Sequence, residues 1–494
     1  MGLVWNSAIP VISIFIAFVP LFNILNSNKL NYNTVFNLTF LTFLIYHFCT
    51  VWWLYKSSIP GSIAIIMLNS IFMALVAMSG YSFSSQFGKP AGILAFISFW
   101  LSFEFIHFHW QLSWPFMNLG NWLGQMPIII QWYEYTGILG GTLWILLVNA
   151  CIYLMFQHFL NLNYRMVLIH FSVLTFLIIL PLWISYELFN NYIESGNKIK
   201  VRIIQPNIDP YKEKYVSNLF DNQIENQLNL AISDSVGIDC FVFPESSFPI
   251  YIDEKNTNSQ KQLSKISETL LKSGKSVIGG LYSYTLNNND TLFYNTAFRL
   301  NPGLNFYHKS KLVPGVERMP FENYFHFLRK MNVSFGGITN SLQPDKERKI
   351  FSLVKKNCSI APVICYESVY GEFVSGFIRK GATCIAVITN DGWWGNTPGY
   401  HQHLIHSQIR AIENRRSVVR SANTGISCII SPRGEILIQS EPLKANALNG
   451  SLSQENKITF YTLHGDFIGR ISLISTFILS VIQGLKLYRK KPEI

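Results

Sequence analysis

Charge is scarce in this 494-residue sequence: Asp, Glu, Lys and Arg together make up 14%, well below the roughly 25% of ordinary soluble domains. With 49% hydrophobic and 15% aromatic residues beside it, that shortage excludes a chain that is soluble throughout. Paired cysteines are missing too. The seven cysteines (49, 151, 240, 358, 365, 384, 428) are odd in number and contain no CxxC, so neither a disulfide framework nor a zinc site is expected. No Lys or Arg precedes Lys29, which removes the positive n-region of a cleavable signal peptide, and the first apolar helix is expected to stay on the chain. Basic blocks and nucleic-acid motifs are lacking, so the net charge of +11 suits anionic lipid rather than nucleic acid. His401, His403 and His406 lack the spacing and acidic partner of a zinc helix, and no metal is expected. Gly279-Gly280 and Gly336-Gly337 lie in no phosphate-binding pattern and read as turns. No internal repeat or low-complexity tract is present.

What the sequence does have is apolar runs at its two ends. Stretches near 8–27, 34–55, 60–80, 91–108, 136–157 and 167–189 each approach the ~20 residues that cross a bilayer, and a weaker one at 467–485 contains Arg470 near its start. Seven helices follow, with a transmembrane part at 1–190 and a last helix with a basic tail at 467–494. Trp110–Glu134, rich in Trp, Pro and Gly, is too broken to span and reads as re-entrant or interfacial. Glu104, inside the fourth run, reads either as a lipid or proton site or as a buried hydrogen-bonding group. Lys29, Lys89, Arg165 and the tail Lys486, Arg489, Lys490 and Lys491 fall on one side, leaving Lys56 on the other. The positive-inside rule makes that first side cytoplasmic and places the polar middle outside.

The middle, about 198–460, alternates apolar strands with amphipathic helices. Val201–Gln205, Cys240–Phe243, Ser276–Ile278, Ile360–Ile364 and Cys384–Thr389 read as strands, whereas Phe220, Ile224, Leu228 and Ile232, and again Leu263, Ile266 and Leu270, repeat at helical spacing. Such alternation argues for an α/β or mixed sandwich with its site at strand ends. Three strand-end clusters carry chemistry: Phe243-Pro-Glu245-Ser-Ser; Tyr307-His-Lys309-Ser-Lys-Leu-Val-Pro-Gly-Val-Glu317; and Val363-Ile-Cys365-Tyr-Glu367-Ser. A thiol just past an apolar strand, with a carboxylate and an amine from other strand ends, supplies nucleophile, base and cationic stabiliser. Singly, each is bland: a free cysteine is commonly a small core residue, a Pro-Glu a turn, a lysine a solvated charge.

Taken in this order and with these flanks, the three clusters resemble the nitrilase superfamily, over roughly residues 200–445. Thr389-Asn390-Asp391-Gly-Trp393-Trp-Gly395, the helical stretch His401–Arg416 and the strand pair around Arg420–Gly425 look like the segments that follow that family's cysteine. The membrane runs, Gln205-Pro-Asn-Ile, Leu312-Val-Pro314 with Glu317, Cys365-Tyr366-Glu367, and Trp114-Pro115 with Gly120 are similar to its membrane branch, the apolipoprotein N-acyltransferases. That branch usually has eight helices, and the N-terminal one here resembles its second. The family's tryptophan in the first loop is replaced by Tyr211 or Tyr215.

The resemblance implies a helical membrane bundle carrying an extracytoplasmic nitrilase-like α/β domain, an αββα sandwich. It implies Glu245 as base, Lys309 as cation and Cys365 as nucleophile. Glu317, Tyr366 and Glu367 would act in support, with substrate or lid contacts from Tyr215, Asn390 and Trp393. It further implies acyl transfer from a phospholipid, through a Cys thioester, to the α-amine of a diacylated apolipoprotein in the bacterial inner membrane, by a monomer without a cofactor. Two rival readings stand beside it: a membrane-tethered amidase or nitrilase with water as acceptor, and a degenerate binding module, which the presence of all three triad positions disfavours.

Overall fold

The computed structural model describes residues 11–489 apart from 28, 195, 258–260, 272–273, 288–289, 326–340 and 355–356. The basic tail positions Lys490 and Lys491 and the Gly336-Gly337 pair therefore lie outside the described residues. The chain divides into two compact units, one taking in Met1–Tyr55, Ile59–Asn190 and His464–Ile494, the other Lys56–Ser58 and Asn191–Leu463.

The first unit is helical: α1 (Val19–Leu25), α2 (Tyr32–Val51), α3 (Ile59–Phe87), α4 (Lys89–Ile106), α5 (Tyr133–Leu160), α6 (Tyr164–Asn190) and a closing helix at Phe467–Arg489. Local chemistry sets the starts. The Asn31 side chain accepts from the Thr34 N–H at 2.8 Å and caps α2, and α4 begins with a proline just inside its first turn. Among the described residues, six of the seven expected spans are long and apolar enough to cross a bilayer, α2 with a 3-10 extension to Lys56. The first differs. Its described part is a 3-10 turn at Val11–Phe15 followed by the short α1, with Pro20 in the opening turn of α1. Proline has no N–H to continue a ladder, and Asn149 of α5 takes up part of the interrupted backbone, accepting from Phe18 N–H (2.8 Å) and donating to Ile14 C=O (2.9 Å). Trp110–Glu134 forms three short 3-10 helices whose Phe116, Leu119, Trp122 and Leu123 are buried within the unit. Glu104 is buried and accepts from Trp100 Nε1, Leu119 N–H and Thr142 Oγ1 at 2.6–3.0 Å, the hydrogen-bonding arrangement of its two readings. On α6, Leu168, Phe171, Phe176 and Ile179 are exposed, as lipid-facing side chains would be.

The second unit stacks two open sheets. The first contains β1 (Lys198–Gln205), β2 (Cys240–Val242), β3 (Tyr251–Asp253), β4 (Ser276–Asn287), β5 (Asp290–Leu300) and β6 (Leu304–His308). The second contains β7 (Phe351–Ser352), β8 (Ser359–Ile364), β9 (Cys384–Thr389), β10 (Val418–Ala422), β11 (Cys428–Ile430) and β12 (Ile436–Gln439), and β13 (Asn446–Ser453) returns to the first. The orders are β13-β1-β2-β4-β5-β6, with β3 beside β4, and β12-β11-β10-β9-β8-β7. β1, β2 and β4 run parallel, as do β8, β9 and β10, so the carboxyl ends of the strands in each set gather at one end, where open α/β sheets place their sites. The sheets meet through side chains such as Ser421 Oγ, which donates to Ile204 C=O at 2.9 Å. Outside the first sheet lie α7 (Phe220–Ile232) and α8 (Lys261–Leu270); α9 (Gly371–Arg379) and α10 (Gly399–Asn414) belong to the second half. Ile224, Leu228, Leu263, Ile266 and Leu270 enter one core with Ile204, Phe241, Val277 and Phe298, whereas Ile232 is exposed. The result is the expected αββα sandwich.

Gly279-Gly280 is not a turn: both residues sit inside β4. A Cβ on Gly280 would come within 2.4 Å of Ser246 N and 2.7 Å of Glu245 Cα, so the missing side chain is a matter of close approach rather than of bending. Gly280→Ala should therefore cost about 1–3 kcal/mol through overpacking, read as a lower melting temperature of the purified protein in detergent.

Candidate active site

Glu245 follows β2 after Phe243 and Pro244, and its turn is held by the first sheet: Gly280 N–H donates to Pro244 C=O at 3.1 Å. Lys309 follows β6, and its own N–H donates to Asn295 C=O on β5 at 2.8 Å. These anchors bring the two ends together. Lys309 Nζ lies 3.1 Å from Glu245 Oε1 and 2.9 Å from Glu317 Oε1, with its side chain only 1% exposed. Asn295 Nδ2 donates to both carboxylates, at 2.8 and 3.0 Å. Glu317 Oε2 also accepts from Val313 N–H at 2.8 Å, pinning the segment that follows Lys309. Burial alone would push the Glu245 carboxyl up, but Lys309, Asn295 and Lys214 outweigh it and hold it below the usual range. Burial would likewise lower Lys309; Glu245, Glu317 and Cys365 reverse this and keep it well above the usual lysine value.

Cys365 ends β8 and opens a 3-10 turn, with φ +50°. That left-handed conformation is strained for a non-glycine residue and turns the chain sharply at the sulfur. Ile364 pairs with Ile388 of β9, which sets Cys365 beside Thr389. Burial and then Glu245 push the thiol up; Lys309 and the Thr389 hydroxyl pull the other way without overcoming them. At rest the sulfur is a protonated thiol among a carboxylate, an ammonium and a hydroxyl.

A second layer fixes this turn. Glu367 accepts from Tyr307 Oη (2.6 Å), Ser310 N–H (2.6 Å) and Lys311 N–H (3.4 Å) on one side and from Ile364 N–H (2.8 Å) on the other. It therefore ties the Lys309 end of the first sheet to the Cys365 end of the second, and burial pushes its carboxyl up to about 7 against those donors. Below Cys365, Asp391 is paired with Arg420 (2.6 Å) and His403 (2.9 Å), all buried. Burial would raise Asp391, but Arg420 and His403 bring it down to about 2. The His403 Nε2 lies 3.2 Å from Cys365 C=O and 3.1 Å from Ser368 Oγ, so this histidine is part of the frame under the Cys365 turn.

The other expected residues are placed as follows. Asn390 N–H donates to Glu245 Oε2 at 3.0 Å, and its buried Nδ2 has no hydrogen-bond partner among the described residues. Tyr366 is buried, with its ring edge-on to Tyr370. Tyr215 Oη meets Tyr282 Oη at 3.3 Å, and its hydroxyl feels Glu245 and Glu317. Tyr211, the alternative, instead packs edge-on against Trp393 and donates to Trp393 C=O at 3.0 Å. Among the described residues, no three His, Cys, Asp or Glu side chains are grouped to hold a metal ion. Sequence reading missed Asn295, because an asparagine within β5 looks like any strand residue, and Lys214, which lies in a polar loop and looks like a solvated charge. Its Nζ in fact donates to Ser246 Oγ at 2.8 Å and to Glu245 C=O at 3.3 Å.

A base, a thiol and an ammonium converging at buried strand ends have the parts for nucleophilic acyl chemistry. Residues 200–451 match the carbon-nitrogen hydrolase family model, and the chain belongs to that family. Residues 2–151 match the apolipoprotein N-acyltransferase N-terminal domain. Over 496 aligned residues the chain is 25% identical to the apolipoprotein N-acyltransferase of Chlorobaculum tepidum, covering 96% of this chain and 92% of that one. It is 25% identical to that of Geobacter metallireducens over 92% and 87%. Among solved structures, Saccharomyces cerevisiae Nit3, a member of branch 10 of the nitrilase superfamily, is similar at 16% identity and a TM-score of 0.40, over 56% of this chain and 95% of that one. Within its family, then, this is an acyltransferase of the apolipoprotein N-acyltransferase branch, a multi-pass membrane protein.

Two outcomes are expected from the second layer. Glu367→Gln sets an amide N–H₂ against backbone or hydroxyl donors at one end of the bridge, which should cost about 1–3 kcal/mol and slow reaction at Cys365, measured by thermal unfolding and by active-site labelling. Asp391 titrates from 3.8 to about 2 on folding. Its contribution, about 2 kcal/mol, is complete above pH 4 and is lost as pH falls toward 2. Asp391→Asn should lower the melting temperature at pH 7 and flatten its fall between pH 4 and 2.

Proposed function

We propose that the chain completes lipoprotein maturation by N-acyl transfer, moving a fatty acyl group from a phospholipid to the α-amine of a diacylglyceryl-cysteine through a thioester on Cys365. The observation that carries this reading is the buried Glu245–Lys309–Glu317 cluster at the Cys365 turn in a member of the apolipoprotein N-acyltransferase branch. Glu245 takes the thiol proton as the sulfur attacks the ester carbonyl carbon. Lys309, with a backbone N–H, holds the oxyanion, a contact worth about 3–4 kcal/mol per donor. The C–O bond then breaks and the lysophospholipid leaves with the proton from Glu245. In the second half the amine attacks the thioester, Glu245 accepts its proton, the C–S bond breaks and the sulfur is reprotonated. This is ping-pong chemistry.

Glu317 orients Lys309, as its contacts to Lys309, Asn295 and Val313 suggest, and the free Nδ2 of Asn390 is a donor available to substrate. Tyr366 supports the nucleophile turn, while Tyr215 and Trp393 contact substrate or lid. Two lipid-anchored substrates give a physical reason for one chain to carry both membrane helices and a catalytic unit. The distribution of Lys29, Lys89, Arg165, Lys486 and Arg489 supports a cytoplasmic face for those loops and a periplasmic catalytic unit in the inner membrane. The units proposed are a membrane part at 1–190, a catalytic part at 198–460 and a membrane segment at 467–494, acting as a monomer without metal or cofactor.

Purified protein incubated with phospholipid should gain the mass of one acyl chain, and Cys365→Ala should abolish the gain. Adding a diacylated lipopeptide should discharge the adduct and yield a triacylated lipopeptide. Release of free fatty acid alone would establish the hydrolase reading instead, and an adduct retained in Cys365→Ala would move the nucleophile elsewhere.

A further inference from the structure

One buried ionisable side chain at this site has no part in the two-step scheme. Lys214 lies in the loop after β1 and is 2% exposed. The loop is stitched down on both sides: Asn423 accepts from Ile208 N–H (3.0 Å) and donates to Ile208 C=O (2.7 Å), while Lys214 N–H donates to Asp209 C=O at 3.0 Å. The ammonium is thus delivered to the backbone of the Glu245 turn, whereas Lys309 meets the Glu245 carboxylate. There it donates to Ser246 Oγ and Glu245 C=O, at a turn where Ser246 adopts φ +42°.

We propose that Lys214 is a positioning residue of the acylation step, a second buried ammonium that locks the Glu245–Ser246 turn and keeps the site electrically neutral while the thiol proton moves to Glu245. The inference rests on the acyl-transfer reading above. Its physical basis is a charge balance. Within the cluster that contacts Glu245, the two carboxylates of Glu245 and Glu317 are matched by the two ammoniums of Lys309 and Lys214. Moving a proton from Cys365 to Glu245 exchanges one negative charge for another, and the sum stays at zero. With Lys214 uncharged, the same buried group would hold a net negative charge before and after the transfer, and a charge out of water is tolerated only when paired. The titratable groups facing Lys214 are Glu245 from the first sheet and Cys365 from the second, both favouring its charged form, while burial opposes it and brings it down to about 8. Lys309 and Glu317 act on it through the Glu245 ion pair. Lys214 is therefore charged below about pH 8 and loses that charge above it.

The test is the rate at which full-length protein in detergent acquires the phospholipid acyl mass, followed from pH 6 to 10 by intact-mass spectrometry. The wild-type rate should be level near neutrality and fall above about pH 8. Lys214→Arg, which keeps its charge, should abolish that fall. Lys214→Met should lose about tenfold at pH 7, the equivalent of one pKa unit of thiolate stabilisation, and have no inflection. Ser246→Ala removes one acceptor from the ammonium and should move the inflection to lower pH. A Lys214→Met protein with the wild-type rate and inflection would overturn the inference. If that variant does not fold, an inflection unchanged in both Lys214→Arg and Ser246→Ala overturns it equally. A wild-type protein that gains no acyl mass sinks the underlying reading itself, and the two failures are thereby told apart.

Discussion

The catalytic unit depends on one ammonium taken out of water. Lys309 can stay charged inside the sandwich because Glu245 and Glu317 face it at about hydrogen-bond distance and Asn295 binds both of them. Removing one partner of such a buried pair typically costs about 3–5 kcal/mol, because the other charge is left unpaired. Each member enters from a different segment: Glu245 from the end of β2, Lys309 from the end of β6, Glu317 from the loop beyond it. The ion cluster therefore closes the end of the first sheet, and stability and chemistry rest on the same contacts.

The sulfur comes from the other sheet, so the site exists only when the two sheets are stacked in register. Three bridges fix that register near the reacting groups: Glu367 between Ile364 and Ser310, the Asn390 N–H on Glu245, and Asn423 on the loop that carries Lys214. Each joins backbone to side chain and tolerates little sliding. The Asp391–Arg420–His403 group fixes the same turn from below. Polar groups this well paired specify one arrangement of the nucleophile where a purely apolar core would permit several.

Glu245, Lys309 and Cys365 stood out only as a set: singly each had a bland reading, and the order and flanks of their three clusters, through the family resemblance, marked them together, while nearby apolar runs showed where strands must stop. The strands at 201–205, 240–243, 360–364 and 384–389 were legible from those runs. Lys214 was not, since Asp209–Ser217 has the composition of a solvated loop and the contacts that pull it inward come from distant segments, among them Asn423, more than 200 residues away, and Trp393. Gly280 was misread because a Gly-Gly pair usually bends the chain; here the cause is the Glu245 backbone lying against it, a contact between segments that no local pattern records. The break within the first apolar run was not legible, because hydropathy sums side chains and does not see that Pro20 removes a backbone donor.

The resting state of the sulfur bears on the choice between transfer and hydrolysis. Burial pushes the Cys365 thiol up and keeps it protonated, so under the proposed scheme it would become a nucleophile only as Glu245 takes its proton, with an ester carbonyl in place and its developing oxyanion near Lys309. Once the first leaving group had carried that proton away, Glu245 would again be a carboxylate, equally able to deprotonate an amine or a water molecule. Charge alone cannot then distinguish the acceptors. Under the proposed scheme access would favour the amine: a thioester at the buried Cys365 would meet few water molecules, whereas a lipid-anchored amine would be brought there by its own acyl chains. Under the acyl-transfer reading, the burial that slows activation of the thiol is the same property that preserves the thioester until the second lipid arrives.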